Sequence, residues 1–199
     1  MNSVIDFLAA AIVAGTPLLF ATLGEIITER AGNLNLGVEG MMLMGAVMGF
    51  AIGVSTGNPI LALLAAMISG ALGALIYAFL TISLRANQVV AGLTLTIFGT
   101  GFSSMIGRKL VGQVSPAAVK SFFSIIPIPG LSKIPFIGPV FFKHDIFIYL
   151  GYVTAVALGF YLYNTSKGLN LRAVGENPAA SDAASINISL YKYFHILLG

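Results

Sequence analysis

Four long stretches without a charged residue constrain this chain more than any other feature. They cover residues 7–24, 40–84, 86–107 and 146–166. A helix that crosses a lipid bilayer needs about 20 predominantly apolar residues. Lipid offers no hydrogen-bond partner to an open backbone, so a segment that crosses it must satisfy its own backbone groups. The uncharged stretches therefore predict membrane-spanning helices.

The stretch 40–84 is too long for one span. As a single helix it would measure about 68 Å, more than twice the thickness of a hydrocarbon core of about 30 Å. It must turn, and Ser55-Thr56-Gly57-Asn58-Pro59 is the turn signal within it. We therefore expect an all-α, polytopic transmembrane helix bundle with five complete spans and the start of a sixth. The predicted spans are 7–24, 38–55, 60–84, 86–107 and 146–166, followed by the beginning of another at 186–199.

The composition agrees with a membrane protein and excludes several other classes. Only 9% of the 199 residues are charged, whereas a soluble domain carries about 25%. This excludes an ordinary cytosolic enzyme and a disordered chain. The net charge of +3 is too small and too scattered for a nucleic-acid-binding protein. Cysteine is absent, which excludes a disulfide framework, a thiolate metal site and a cysteine nucleophile.

The second span carries a glycine at every fourth position, at Gly45, Gly49, Gly53 and Gly57. On a helix these residues form one stripe without side chains. Such a stripe lets a second helix approach closely, so we expect it to pack against another span. The alternative is that the stripe lines a pore.

The longest polar segment, residues 166–188, reads SKGLNLRAVGENPAASDAASINI. Asn177 can cap a helix that Pro178 begins, because Asn accepts from free N–H groups and Pro is preformed for the first position. Asp182 suits the positive end of the helix dipole. We expect a short helix over 178–186. It is either an ordinary capped surface helix or a docking helix for a partner, and the residues alone leave both open.

Two segments carry a family resemblance. LNLRAVGENPAASDAASINI, residues 169–188, resembles the cytoplasmic coupling-helix motif of ABC importer permeases, in the branch for simple sugars, nucleosides and branched-chain amino acids. ITERAGNLNLGVEGMMLMGAVMGF, residues 27–50, is similar to the segment typical of the nucleoside and simple-sugar permeases in that branch. By this ordered pair of motifs the chain is identified as a member of that permease branch.

The resemblance implies a multi-pass subunit of a binding-protein-dependent importer in the bacterial plasma membrane, forming the path for a nucleoside or simple sugar. The implied partners are an ABC ATPase subunit, a second permease subunit and an extracytoplasmic substrate-binding protein, with no cofactor. The chain has no G-x-x-x-x-G-K-[ST] phosphate loop, so we expect no enzymatic activity of its own and an ATPase on a separate chain. The residues implied to couple to that ATPase are Arg172, Gly175, Glu176, Asn177, Pro178, Ala179, Ala180 and Asp182.

The charge rule does not orient the chain, because four Lys and Arg residues fall on one predicted side and five on the other. The resemblance places the 166–187 loop in the cytoplasm and therefore the 108–145 loop outside. The outer loop holds five of the eight prolines, and its apolar stretches predict that it lies along the membrane surface. It either helps to seat the binding protein or is a plain connection.

Polar residues at the entry of span 2 and along span 4 are the candidates for the translocation path. They are Asn33, Asn35, Glu39, Asn87, Gln88, Thr94 and Thr96. The break at 32–37 either lines a cavity or is a cytoplasmic turn, and the charges before it favour the turn. We expect Glu39 to be paired or hydrated rather than a proton carrier. His144 and His195 lack a second ligand at metal spacing, so we expect no metal site and an interfacial position for both.

Three other functions compete. A secondary transporter or channel for a small polar solute would place ionisable residues within its spans, and the four uncharged stretches hold none. A membrane enzyme would need a nucleophile–base or metal constellation, which the sequence does not show. A purely structural subunit would leave the Asn-Pro-Ala-Ala helix unexplained. The sixth span stops after roughly 12 residues of about 20, so we expect a C-terminally incomplete permease domain over 1–199.

Overall fold

The computed structural model describes residues 2–199, and Met1 lies outside the described residues. Within the described part, five helices are long and apolar enough to cross a membrane. They are Val4–Arg30, Val38–Thr56, Pro59–Ser83, Gln88–Gly107 and Ile146–Asn164. The all-α, multi-pass architecture is therefore confirmed. A further apolar helix, Ile188–Leu198, stands where the sequence predicts the start of a sixth span.

The long helices are α1 (Asn2–Arg30), α2 (Val38–Thr56), α3 (Pro59–Ala78, continued by a π-helical turn, Phe79–Ser83), α4 (Gln88–Gly107) and α7 (Ile146–Asn164). Between α4 and α7 lie α5 (Ala117–Phe122), β1 (Ile126–Pro127), α6 (Ile137–Phe141) and β2 (Lys143–His144). The two short strands pair antiparallel. After α7 come α8 (Ser166–Glu176), α9 (Pro178–Ala183) and α10 (Ile188–Leu198).

Side-chain caps set the first residue of several helices. The Oδ1 atom of Asn58 accepts from the N–H of Ile60 at 2.9 Å, and that of Asn87 accepts from Val90 at 3.1 Å. At the start of α7, Asp145 caps in the same way. These oxygens satisfy N–H groups that have no partner within the helix. Side-chain capping, as well as hydropathy, therefore determines the first residue of these spans.

Three of the predicted boundaries were wrong. The first span does not end at residue 24, because no Gly or Pro breaker follows and α1 continues to Arg30. The stretch 166–176, expected to be loop, is the helix α8, which begins where Thr165 Oγ1 accepts from the N–H of Gly168 at 3.0 Å. The predicted helix 178–186 ends at Ala183, since Ser185 takes a φ of 61° that a helix does not contain.

Helices α2 and α3 pack through the glycine stripe. A Cβ added to Gly49 would lie 3.1 Å from the Cβ of Ala66, and one on Gly53 would lie 3.3 Å from the Cβ of Ala62. Gly45 also faces Ala66. Gly57 differs, because it lies beyond the helix as a left-handed C-cap with φ 65° and nothing within 4 Å of its added Cβ. The packed stripe therefore ends at Gly53.

The segment 108–145 forms a small folded unit at one end of the bundle. Its helix α6 contacts α1, and Val119 of α5 lies 3.9 Å from a Cβ built on Gly53. His144 is buried, and its Nε2 atom hydrogen-bonds the carbonyl oxygen of Val140 at 2.6 Å. The interfacial position expected for His144 stays a prediction, and within the protein its ring is enclosed. Because α7 leads away from this unit, α8 and α9 lie at the opposite end of the bundle.

Candidate functional site

The helix α8 is anchored across the ends of α1 and α7. Leu171 and Val174 are fully buried, and Leu171 packs in one cluster with Ile27, Ala31 and Leu162. Residues three apart lie on the same face of a helix, so these two side chains hold one face of α8 against the bundle. Burial of each such side chain stabilises the packing by about 1.5–3 kcal/mol.

The end of α8 meets the loop between α1 and α2 backbone to backbone. A Cβ built on Gly32 would lie 3.0 Å from the Cα of Gly175, and one built on Gly175 would overlap the carbonyl oxygen of Arg30. Gly32 has a φ of 80°, which disfavours any other residue. The two segments that carry the family resemblance therefore touch each other in the fold.

Asn177 joins α8 to α9. Its backbone N–H donates to the carbonyl oxygen of Ala173 at 2.9 Å, which closes α8. Its Oδ1 atom accepts from the N–H of Ala180 at 3.0 Å, which begins α9 as the sequence predicts. Ser181 is buried and donates from Oγ to the carbonyl oxygen of Asn177 at 3.1 Å. The short helix is thus fixed at its first turn.

The predicted coupling residues divide into two groups. Arg172 is half-buried, and its guanidinium lies 5.2 Å from the ring centroid of Tyr163 on α7, as a cation–π pair. Arg172 and Gly175 therefore hold α8 against the bundle. The others are exposed on the outside of the α8–α9 corner. They are Glu176, Asn177, Pro178, Ala179, Ala180 and Asp182.

The loop 31–37 is partly buried among the helices, with Leu34 and Leu36 exposed. Asn33 and Asn35 are only 2% and 5% exposed, because the turn packs into the protein, and its place on the cytoplasmic side stays a prediction. The backbone N–H of Asn35 donates to Oε1 of Glu25 at 2.7 Å, and Oδ1 of Asn35 accepts from Gly37 at 2.9 Å. The Nδ2 atom of Asn33 donates to Oγ1 of Thr81 at 3.4 Å. This irregular backbone persists because protein groups satisfy its hydrogen-bonding groups.

Helices α3 and α4 hold the same loop from the other side. Gln88 accepts at Oε1 from the N–H of Leu34 at 2.8 Å and donates from Nε2 to the carbonyl oxygen of Gly32 at 3.3 Å. Tyr77 donates to the carbonyl oxygen of Leu34 at 2.5 Å. Thr96 donates to that of Leu36 at 2.9 Å. Three helices, α1, α3 and α4, therefore share this loop.

Of the seven predicted path residues, four meet around the loop: Asn33, Asn35, Gln88 and Thr96. The other three are exposed elsewhere. Asn87 caps α4, Thr94 bonds the carbonyl oxygen of Val90 in its own helix, and Glu39 lies in the first turn of α2. No feature of the sequence singled out Glu25 or Thr81 as a loop partner. Tyr77 carried a usable signal, because a hydroxyl within an apolar span needs a partner.

A cavity of about 550 Å³ lies among α1, α2, α3 and α10. Its walls are mostly apolar, and Thr28 and Asn35 are the polar residues that line it. Gly70 widens it, because a Cβ added there would meet nothing within 4 Å. Asn35 is thus the one predicted path residue that faces this cavity in the described part of the chain.

Nothing in the described residues gathers three potential metal ligands. His195 is buried, and its two ring nitrogens bond Oη of Tyr161 at 2.8 Å and the carbonyl oxygen of Tyr191 at 2.7 Å. The ring therefore fastens α10 to α7. An interfacial position for His195 stays a prediction.

Comparison with known proteins decides the family. The profile of the family described as the permease component of the branched-chain amino acid transport system matches residues 7–199. The chain belongs to this permease family. With its five apolar helices, this permease is a multi-pass membrane protein.

Several relatives of this permease are named as ABC transporter permeases for a sugar or a nucleoside. It is 38% identical to a putative glucose ABC transporter permease of Haloferax volcanii, over 100% of this chain and 60% of that protein. It is 35% identical to a guanosine ABC transporter permease of Bacillus subtilis, over 95% of this chain and 61% of that protein. It is 31% identical to a nucleoside ABC transporter permease of Lactococcus lactis, over 100% of this chain and 64% of that protein.

The permease spans about 60% of the length of these curated relatives. No solved structure matches it.

Proposed function

We propose that this permease is the transmembrane subunit of an ATP-driven importer for a nucleoside or a simple sugar. The names of the relatives support the substrate class, since they specify glucose, guanosine and nucleosides. The importer needs a separate ATPase subunit, a second permease subunit and an external substrate-binding protein. Residues 166–187 face the cytoplasm in this proposal, and 108–145 face outward.

The contact between Gly175 and Gly32 is the observation that carries the proposal. It joins the segment that resembles a coupling helix to the buried loop at the entry of α2. Next to this contact, α9 presents Pro178, Ala179 and Ala180 to the outside on a capped first turn. A small-faced, fixed helix can lie close to a partner's surface and transmit its movement.

The mechanism follows from this arrangement. An ATPase subunit that closes on ATP carries α9 with it, because the helix is seated in the subunit's groove. The helix α8 moves as part of the same corner, since Asn177 closes one helix and begins the other. Differential contacts in the two states of the ATPase are what shift the permease between conformations.

The cavity among α1, α2, α3 and α10 is the proposed part of the substrate path. Its volume of about 550 Å³ exceeds that of a single sugar or nucleoside, and Asn35 and Thr28 offer polar groups. Binding sites of this kind are mostly apolar with a few placed polar groups. In this proposal Asn35 lines the path, while Gln88 and Thr96 hold the loop that positions it.

A secondary transporter or channel is the second candidate, and Glu25 is the observation that favours it. The carboxylate lies within the helix α1 and is half-buried, with Oε2 buried and without a hydrogen-bond partner. Ionisable groups in spans often mark ion or proton pathways. Uptake that a protonophore abolishes and ATP depletion spares would favour this candidate.

Purification from native membranes tests the proposal. A tagged permease should bring down an ATPase subunit, and so should Lys133→Glu, a charge reversal at the opposite end of the bundle. Glu176→Lys alters the exposed corner and should lower ATP-dependent uptake while the protein still reaches the membrane. Gly175→Leu is unsuitable here, because its side chain would overlap Arg30 and disturb the fold itself. Recovery of the permease without any ATPase would contradict the proposal.

A further inference from the structure

The side chain of Gln88 holds the α1–α2 loop as a neighbouring strand would. Its Oε1 atom accepts from the N–H of Leu34 at 2.8 Å, and its Nε2 atom donates to the carbonyl oxygen of Gly32 at 3.3 Å. Gln88 is the first residue of α4. One side chain therefore ties two backbone groups of the loop to the beginning of a membrane span.

The other side of the same loop touches the end of α8 without any side chain between them. A Cβ on Gly32 would lie 3.0 Å from the Cα of Gly175, and a Cβ on Gly175 would lie 3.0 Å from the backbone nitrogen of Gly32. Backbone atoms in direct contact cannot be compressed further, and they have no rotamers through which to absorb a displacement. A shift of Gly175 toward the loop therefore moves Gly32.

We infer that Gln88 is a positioning residue that passes movement of the α8–α9 corner to α4. The route runs from Gly175 to Gly32 by packing, and from Gly32 to Gln88 by hydrogen bonding. This route acts across the fold and adds to the direct connections of the corner to α7 and α10 along the chain. The inference rests on the proposed function, because the movement comes from an ATPase subunit.

The remaining contacts of the loop determine where that movement goes. Tyr77 bonds Leu34 from α3, and Thr96 bonds Leu36 from α4. Glu25 bonds Asn35 from α1, and Asn35 lines the cavity proposed as the path. The loop thus links the corner to the residue that faces the cavity. Coupling through such a network requires contiguous contacts, and each of these is a direct one.

The test compares two variants of Gln88 in the complete transporter, reconstituted into liposomes. Gln88→Met keeps the length of the side chain and removes both hydrogen bonds. Gln88→Glu keeps the acceptor for Leu34 and removes the donor to Gly32. Thr100→Val is the control, because this exposed hydroxyl on the same helix bonds only its own helix, at the carbonyl oxygen of Thr96. The quantity measured is the amount of solute taken up per ATP hydrolysed.

Gln88→Met should retain the ATPase subunit and its hydrolysis, and should lower uptake per ATP by about fivefold or more. Gln88→Glu should fall between this variant and the wild type, and Thr100→Val should match the wild type. If Gln88→Met does not accumulate in the membrane, the reduced ratio of Gln88→Glu carries the test. An unchanged ratio in the Gln88 variants, or a proportional loss of uptake and hydrolysis, would overturn the inference. A wild type without ATP-dependent uptake would instead overturn the proposed function beneath it.

Discussion

The hydroxyl of Tyr77 on α3 donates a hydrogen bond of 2.5 Å to the carbonyl oxygen of Leu34 in the α1–α2 loop. Tyr77 is fully buried, although it lies in one of the most apolar spans of the chain. The same loop also forms hydrogen bonds with Gln88 and Thr96 of α4. A polar loop is therefore buried because three helices supply its partners.

Tyr77→Phe should destabilise the protein by about 0.5–1.5 kcal/mol, because the hydrogen bond from the Tyr77 hydroxyl to the carbonyl oxygen of Leu34 would be lost. Thermal unfolding of the detergent-purified protein measures the effect. Tyr163→Phe is the matched control, since the Tyr163 side chain is exposed. Equal shifts of the unfolding temperature in both variants would show that the bond to Leu34 contributes little.

Gly70→Leu should block uptake by filling the cavity among α1, α2, α3 and α10. A Cβ at Gly70 meets nothing within 4 Å, so the new side chain can enter the cavity without a clash. Gly101→Leu is the control, because its added Cβ also meets nothing and Gly101 does not line the cavity. Uptake of labelled guanosine and glucose gives the comparison. If Gly70→Leu and Gly101→Leu transport alike, this cavity is not the path.

Asn177→Ala should loosen α9, because the N–H of Ala180 would lose its side-chain acceptor. Loss of such a cap costs about 0.5–2 kcal/mol, which corresponds to about two- to thirtyfold faster amide exchange in the helix. Asn177→Asp retains an oxygen at the same place and should exchange like the wild type. Hydrogen exchange over residues 178–183 measures the difference. An unchanged rate in Asn177→Ala would mean that other contacts fix the helix.

The spans could be predicted from the sequence because hydrocarbon excludes charge so strongly. The uncharged stretches locate all five long helices, and the Asn-Pro pairs at 58–59 and 177–178 mark two helix starts. The helix α8 was not predicted from the sequence, because its apolar face is short. Gly168, Leu171 and Val174 are its buried residues, and one of them is a poor helix former.

The loop 31–37 could not be predicted in the same way. Its partners are distant in sequence: Tyr77 lies 43 residues from Leu34, Gln88 lies 54 from it, and Thr96 lies 60 from Leu36. Local composition and nearby charges carry no information on such pairings. The spacing of the coupling residues along the sequence also does not show which of them are packed. Gly175 faces the backbone at the end of α1, whereas Ala179 faces outward.

Cysteine cross-linking from α9 tests the central claim most directly, because the chain has no native cysteine. Ala179→Cys lies on the exposed small face of α9, and Ser124→Cys lies in the exposed loop at the opposite end of the bundle. In native membranes, a thiol-reactive photo-cross-linker on Ala179→Cys should capture the ATPase subunit, and the same label on Ser124→Cys should not. Equal capture from both positions, or none from Ala179→Cys, would contradict the role of α9 as the ATPase contact.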